Sequence, residues 1–97
     1  MARVELAPEV GGDFERILDH LVLHQAAHLA SRLREIIAAI DVLETNPLIG
    51  RPAGSGKREL VIGKGSHGYV ALYRYVESLD TVFVLAVRAQ REAGFTH

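Results

Sequence analysis

A chain of 97 residues is long enough for one domain, residues 1–97, with a modest core that a partner could complete. With 48 % hydrophobic and 24 % charged residues it has the composition of a compact fold, and without cysteine it can form no disulfide, thiolate metal site or cysteine nucleophile. The net charge of −1 divides unevenly: residues 1–50 carry 4 arginines against 8 acidic residues (−4), and residues 51–97 carry 7 basic against 4 acidic residues (+3). We therefore expect an acidic or anionic target to meet the second half.

The first half of the chain predicts a strand and two helices. Residues 3–7 alternate as a strand does, and Pro8 then stands where a helix can begin, since the first turn does not use the N–H that proline lacks. Apolar residues at helical spacing predict a first amphipathic helix through Phe14, Ile17, Leu18 and Leu21. The apolar phase restarts after a tight turn near residues 24–26, and the second helix contains Leu29, Leu33, Ile36, Ile37, Ile40 and Leu43. The pattern alone also allows one bent helix.

The second half changes to a period of two. Thr45-Asn46-Pro47 ends the second helix, and residues 46–56 are rich in turn formers and predict a loop. Three strands follow, at residues 58–62, 69–76 and 81–88, separated by a hairpin turn or open loop at 63–68 and a turn at 77–80. The last strand is apolar and β-branched through its middle, which is typical of a central strand.

The order β-α-α-β-β-β predicts an α+β domain. Strands joined by short connections form an antiparallel meander most simply, and two helices that are apolar on one face can cover one side of that sheet as a hairpin. No membrane-spanning or secretory segment is evident, since no apolar run approaches roughly 20 residues. We expect a cytoplasmic protein without membrane association.

Two glycine-rich segments approach phosphate-binding motifs and fail on context. In residues 50–57 the first P-loop glycine is replaced by Arg51, and Arg58 follows Lys57 where Ser or Thr should bind magnesium. Residues 63–70 fit the glycine-rich loop of a protein kinase, but the chain has neither a His-Arg-Asp nor an Asp-Phe-Gly motif. We expect no nucleotide cofactor.

A row of histidines offers a possible metal site that we also reject. His20, His24 and His28 are four residues apart, a spacing at which two helical histidines can share a zinc ion. A zinc enzyme would need a third ligand and a base besides two such histidines, and the turn near residue 25 would break the row. These are interpreted as exposed helix histidines, with no metal or other cofactor.

The remaining candidate site residues are cationic, and no catalytic residue is assigned. One of them, Arg74, shares a strand face with Val70, Leu72 and Val76, so alternation predicts that it pairs with an acidic residue inside the fold or lines a cleft. The candidate binding residues are Arg58, Lys64, Arg74, Arg88 and Arg91.

Several short motifs resemble those of one family in type and order. They are Leu43-x-x-Asn46-Pro47-x-x-Gly50, Arg58-Glu59-Leu60, Tyr69-x-x-x-Tyr73-Arg74-Tyr75, the apolar strand that ends at Arg88, and the ending Gln90-Arg91-Glu92-Ala93-Gly94-Phe95. The chain resembles the ParE/RelE toxin superfamily over essentially its whole length. Asn46-Pro47 with Gly50, the Tyr73-Arg74 pair and the ending resemble ParE members in particular.

The resemblance implies a toxin of a type II toxin–antitoxin system, and two activities divide the superfamily. RelE-like members cut messenger RNA on the ribosome, which requires cations, an acid/base such as a C-terminal tyrosine, and a strongly basic surface. This chain has Phe95 in its tail and a net charge of −1. ParE-like members resemble it better, and they imply binding to DNA gyrase so that its cleaved DNA complex persists, without catalysis or direct nucleic-acid binding by the toxin.

The resemblance also implies a ParD-like antitoxin in a toxin–antitoxin hetero-oligomer. Its C-terminal helix would lie in a groove through apolar anchors, with acidic groups opposite Arg58, Arg74 or Arg88. Some of these arginines could instead only hold the fold. The alternatives in function are a ribosome-dependent mRNA interferase and a non-toxic interaction module that has lost its target surface.

Overall fold

The computed structural model of the chain describes residues 1–92, 94 and 95, without the Ser66 side chain. Two α-helices and five strands make up its regular structure. In chain order these are β1 (Arg3–Leu6), α1 (Glu9–His24), α2 (Leu29–Val42), β2 (Arg51–Pro52), β3 (Arg58–Ile62), β4 (Tyr69–Val76) and β5 (Thr81–Ala89). No helix in these residues is long and apolar enough to cross a membrane.

The five strands form one mixed sheet in the order β1-β5-β4-β3-β2. Strands β3, β4 and β5 form the predicted antiparallel meander, and β5 is central as its composition indicates. The α+β class is therefore confirmed. The sheet has two features that were not predicted: β1 pairs with β5 in parallel, and the two-residue β2 lies within the expected loop.

The helices are separate, as the interrupted apolar phase indicates. Helix α1 begins directly after Pro8 and ends at His24, where Gln25 leaves the helical conformation with a φ of −145°. A single 3₁₀ turn, Ala26–His28, connects it to α2. The two helices can therefore lie side by side over the sheet, which one bent helix could not do.

The core lies between the helices and one face of the sheet. Strand β4 contributes Tyr69, Ala71 and Tyr73, which are fully or almost fully buried. The helices cover them with Ile17, Leu21, Ile36 and Ile40. An extra residue in β5 shifts the register between Leu72 and Tyr73 of β4, so that Val82 and Val84, and beyond the irregularity Val87 and Ala89, all belong to the core.

Beyond Val84, where β1 ends, the backbone of β5 has no neighbouring strand on that side among the described residues. Its hydrogen bonds there are made with side chains instead. The buried Asp13 carboxylate accepts a hydrogen bond from the Val87 N–H at 2.9 Å, and Arg16 donates to the Val87 carbonyl at 3.3 Å. Glu92 accepts from the Ala89 N–H at 2.6 Å and pairs with Arg16 at 2.8 Å. The Asp13–Arg16–Glu92 network thus satisfies the edge of β5 and fixes the start of the tail.

Candidate functional site

An apolar groove of about 560 Å³, which we call the helix groove, lies between α1, α2 and β1. Its wall consists mainly of aliphatic and aromatic side chains, with three carboxylates among them. It is lined by Val4, Leu6, Gly11, Phe14, Glu15, Leu18, Leu33, Ile37, Ile40, Asp41 and Glu44.

The helix groove exists because the apolar stripes of the helices are wider than the area that the sheet covers. Leu18 and Ile37 are part of the predicted apolar faces, yet they are 38 % and 57 % exposed. Leu6 beside them is 52 % exposed. The sheet therefore covers only part of each apolar helix face, and Leu18 and Ile37 are left available to a partner.

The groove carries negative charge. Glu15 comes from α1, Asp41 from α2 and Glu44 from the turn after it, and no basic residue is among the lining side chains that the structure describes. This local excess belongs to the acidic first half of the sequence. An apolar ligand with basic flanks fits both features of the groove.

The first candidate cation, Arg58, is engaged with main chain. Its Nη1 donates to the carbonyl oxygens of Gly50 at 2.7 Å and Leu48 at 3.2 Å. The register places it opposite Tyr73. Arg58 thus holds the segment that precedes β2, in addition to any contact it makes with a partner.

Arg74 lies in neither of the two environments that alternation predicted. It is exposed, and its Nη2 donates to the Ser55 carbonyl at 2.8 Å. The residues of β4 that pack in the helix-covered core are instead Tyr69, Ala71 and Tyr73. Arg74 therefore lies on the face of the sheet that the helices leave uncovered, where no acidic partner inside the core is needed.

Arg88 holds the tail against the same uncovered face. Its Nη1 donates to the carbonyls of Ala89 and Glu92 at 3.2 and 3.3 Å, and its guanidinium lies 5.0 Å from the Phe95 ring centre. Its neighbour across the sheet is Val70, four positions from Arg74 on β4, which corresponds to about 13 Å along a strand.

Lys64 and Arg91, the other two candidates, are exposed. The five cations therefore do not form one continuous patch: Arg58 is on the side of Tyr73, and Arg74 and Arg88 are on the other side. Their role in binding a target or antitoxin stays a prediction.

The tyrosine hydroxyls have structural partners or are buried. Burial raises the pKa of Tyr69 and of Tyr73, although for Tyr73 the hydrogen bond from the Gly50 N–H, 2.8 Å long, and the charge of Arg58 act in the opposite direction. The Tyr75 hydroxyl donates to Asp80 at 2.7 Å, and this bond raises its pKa as well. None of the three is suited to exchange a proton with a substrate near neutral pH.

The histidine row is divided as the turn near residue 25 indicates. The rings of His20 and His24 are in contact at a tilt of 40°, with their centres 4.6 Å apart, while His28 lies in the 3₁₀ turn. Desolvation and the charge of Arg91 lower the pKa of His20. Within the described residues no three histidine, aspartate or glutamate side chains are grouped to hold a metal ion.

Comparison with known proteins gives a family match over nearly the whole chain. The model of a family described as "ParE toxin of type II toxin–antitoxin system, parDE" matches residues 4–94. This chain belongs to the ParE toxin family. It is therefore the toxin component of a type II toxin–antitoxin system. A search of curated proteins gives no significant match.

The fold is shared with a solved structure described as the chromosomal ParDE TA system from P. aeruginosa. The TM-score is 0.76, and the alignment covers 92 % of this chain and 96 % of the other at 19 % sequence identity. At 19 % sequence identity this likeness shows a shared fold and nothing further.

Two of the ParE-like motifs meet in space. Gly50, the last residue of the Asn46-Pro47-x-x-Gly50 motif, packs so closely on Tyr73 that an added Cβ would lie 2.7 Å from the ring and 2.8 Å from the Glu59 carbonyl. Only glycine fits there. The third motif, the ending, is described except for Ala93, which lies outside the described residues.

The resemblance implied a groove for an antitoxin helix, but sequence reasoning missed its position and its lining residues, and it missed the buried Asp13. Exposed apolar residues look like core residues in a periodic pattern, because the pattern does not report how much of a stripe the sheet covers. Asp13 is one of several charged residues in the first helix, and nothing in its spacing indicates that it bonds to β5.

Proposed function

We propose that this toxin acts by binding DNA gyrase and prolonging the life of its cleaved DNA complex, without catalysing a reaction itself. The observation that carries the proposal is the ParE family match over residues 4–94. The place of action is the cytoplasm, where gyrase works.

The side chains around the cations support a binding role. A ribonuclease would need a proton donor or acceptor beside its cationic groups. Here the Tyr73 hydroxyl is held by the Gly50 N–H and the Tyr75 hydroxyl by Asp80. Arg88 faces the ring of Phe95, which cannot transfer a proton.

The helix groove is the binding site that we propose for a ParD-like antitoxin. A helix with apolar residues along one face would fill the space beside Leu18 and Ile37. Glu15, Asp41 and Glu44 favour lysine or arginine beside those anchors. Acidic antitoxin groups opposite Arg74 or Arg88 would then belong to another part of the antitoxin, whereas Arg58 donates to the Leu48 and Gly50 carbonyls.

The test is inhibition by the purified toxin in two reactions. We expect it to inhibit supercoiling by gyrase and to leave a cell-free translation reaction intact, with both effects judged against toxin that has been saturated with antitoxin. Ribosome-dependent cleavage of messenger RNA with unaffected supercoiling would instead assign the protein to the interferases. A chain that inhibits neither reaction and does not slow growth when expressed alone would be a non-toxic module.

A further inference from the structure

Residues 46–50, the last part of the connection between α2 and β2, are held by several hydrogen bonds. The Gly50 N–H donates to the buried Tyr73 hydroxyl at 2.8 Å, and Arg58 donates to the Gly50 and Leu48 carbonyls at 2.7 and 3.2 Å. The Ile49 N–H donates to the Asn46 carbonyl at 3.2 Å. We call this segment the anchor loop.

The side chains of the anchor loop nevertheless point away from the core. Leu48 is 59 % exposed and Ile49 is 56 % exposed, although the backbone beside them is fixed. Ile49 and Val61, which is 44 % exposed, line one small depression at the edge of the sheet. A fixed backbone with projecting apolar side chains loses little conformational entropy when a partner covers it.

The charge around the anchor loop is opposite to that of the helix groove. Residues 46–60 contain Arg51, Lys57 and Arg58 against the single acidic Glu59, a net charge of +2. The Arg51 side chain is 61 % exposed and forms an ion pair with Glu59, with 3.1 Å between Nε and Oε1. A partner that covers Leu48 and Ile49 is therefore favoured if it is apolar in the centre and acidic at the rim.

We propose that Leu48 and Ile49 are the anchor by which this toxin enters an acid-rimmed apolar pocket on its protein target. The identity of that target as gyrase rests on the proposed function above, whereas the anchor itself does not. The antitoxin helix is a poorer occupant, because the carboxylates of the helix groove favour a basic helix. Tyr73 and Arg58 are positioning residues, since they act on the anchor through its backbone.

The test uses the full chain with one carboxylate placed in the anchor, Leu48→Asp or Ile49→Asp. The matched control is Leu23→Asp, which charges a residue that is 77 % exposed on α1. We expect the anchor variants to need at least about tenfold more toxin for half-inhibition of gyrase, with an antitoxin Kd within about twofold of wild type. The control should match wild type in both assays, and thermal melting should show all three folded.

Three results would overturn the proposal. The first is gyrase inhibition by the anchor variants at wild-type concentration. The second is an equal loss of antitoxin affinity, which would assign the loop to the antitoxin interface. The third is a wild-type toxin that self-associates in sedimentation and becomes monomeric in Leu48→Asp, which would assign the loop to contacts between copies.

Growth on induction separates the anchor from the gyrase assignment. If wild type and Leu23→Asp arrest growth without inhibiting gyrase, the proposed function fails, and loss of arrest in Leu48→Asp would still support the anchor.

Tyr73→Phe provides the positioning test, since it removes the bond to Gly50 and keeps Leu48 and Ile49. We expect gyrase inhibition to weaken by about threefold to tenfold at a temperature where this variant is folded, with unchanged antitoxin affinity. Unchanged inhibition would contradict the role of Tyr73.

Discussion

The helix groove and the anchor loop both leave apolar side chains in solvent, but they differ in charge and in construction. The groove is acidic and concave, and it arises where two helix stripes extend beyond the sheet. The anchor loop lies among basic residues, and hydrogen bonds to Tyr73 and Arg58 hold its backbone. This contrast is the basis of the two proposals above, a basic antitoxin helix in the groove and an acidic target surface on the loop.

The largest effect should follow from a charge inside the groove. Ile37→Glu places a fourth carboxylate among Glu15, Asp41 and Glu44 and removes an apolar anchor. We expect the antitoxin Kd to rise about 100-fold, equivalent to about 3 kcal/mol, as measured by titration calorimetry.

Leu23→Glu is the control for that substitution, because Leu23 is an exposed apolar residue outside the groove. Its antitoxin Kd should stay within about twofold of wild type. Equal weakening by both variants would mean that overall charge, and not the groove, determines the affinity.

The sequence predicted the elements well and the groove poorly, for one physical reason. Hydrophobic period reports which face of a helix is apolar, and it placed Leu18 and Ile37 on the correct faces. It does not report the width of the sheet beneath them. Exposure of these residues depends on strand pairing between distant segments, such as β1 with β5.

The second largest effect should be a loss of stability on substitution of Gly50, which tests whether the backbone of the anchor loop is fixed. Gly50→Ala would bring a methyl group within 2.8 Å of the Glu59 carbonyl and the Tyr73 hydroxyl. We expect the free energy of unfolding in urea to fall by about 2–3 kcal/mol. Gly12→Ala is the control, since no atom outside the adjoining helix backbone and its two chain neighbours lies within 4 Å of the added Cβ, and it should not destabilise the protein. Full stability of Gly50→Ala would show that the anchor loop is not fixed as described.

A smaller loss of stability should distinguish a cation that holds the fold, Arg58, from one that does not, Lys64. Arg58→Met removes the two bonds to the carbonyls of the anchor loop, and we expect unfolding to be easier by about 1–2 kcal/mol. Lys64→Met changes an exposed residue and should stay within about 0.5 kcal/mol of wild type. Similar losses in chemical denaturation for both variants would contradict a structural role that is particular to Arg58.

These cations also show where sequence reasoning reaches its limit. Alternation in β4 gave the correct partition of residues between two faces, but not which face the helices cover, and so it misplaced Arg74. The anchor loop was predicted as a loop with a glycine. Its fixed backbone depends on the bond from Gly50 to Tyr73, which is 23 positions away in the sequence, and a local sequence pattern does not reveal a contact at that separation.

The smallest effect concerns the tail and depends on pH. Burial alone would raise the pKa of Glu92, but hydrogen bonds from Arg16 and the Ala89 N–H, with the charges of Arg16 and Arg91, bring it below its ordinary value of 4.5. Glu92 thus stabilises the fold above pH 4.5, and this contribution is lost as the pH falls through the lower pKa of the folded state. We expect Glu92→Gln to cost about 0.5–1 kcal/mol at pH 7 and progressively less in acid.

Urea unfolding of wild type and Glu92→Gln at neutral and acidic pH measures this difference. Asp19→Asn, on the exposed surface of α1, is the control for the loss of one carboxylate at the surface. A gap between wild type and Glu92→Gln that widens in acid would contradict the ion pair with Arg16.

Gyrase supercoiling in the presence of wild-type toxin or the Ile37→Glu variant, each with and without antitoxin, tests the separation of the two interfaces most directly. We predict that both toxins inhibit supercoiling equally when alone, and that antitoxin relieves the inhibition by wild type while leaving the inhibition by Ile37→Glu. Loss of inhibition by the folded Ile37→Glu variant, or its full relief by antitoxin, would contradict a groove for the antitoxin that is separate from the surface for the target.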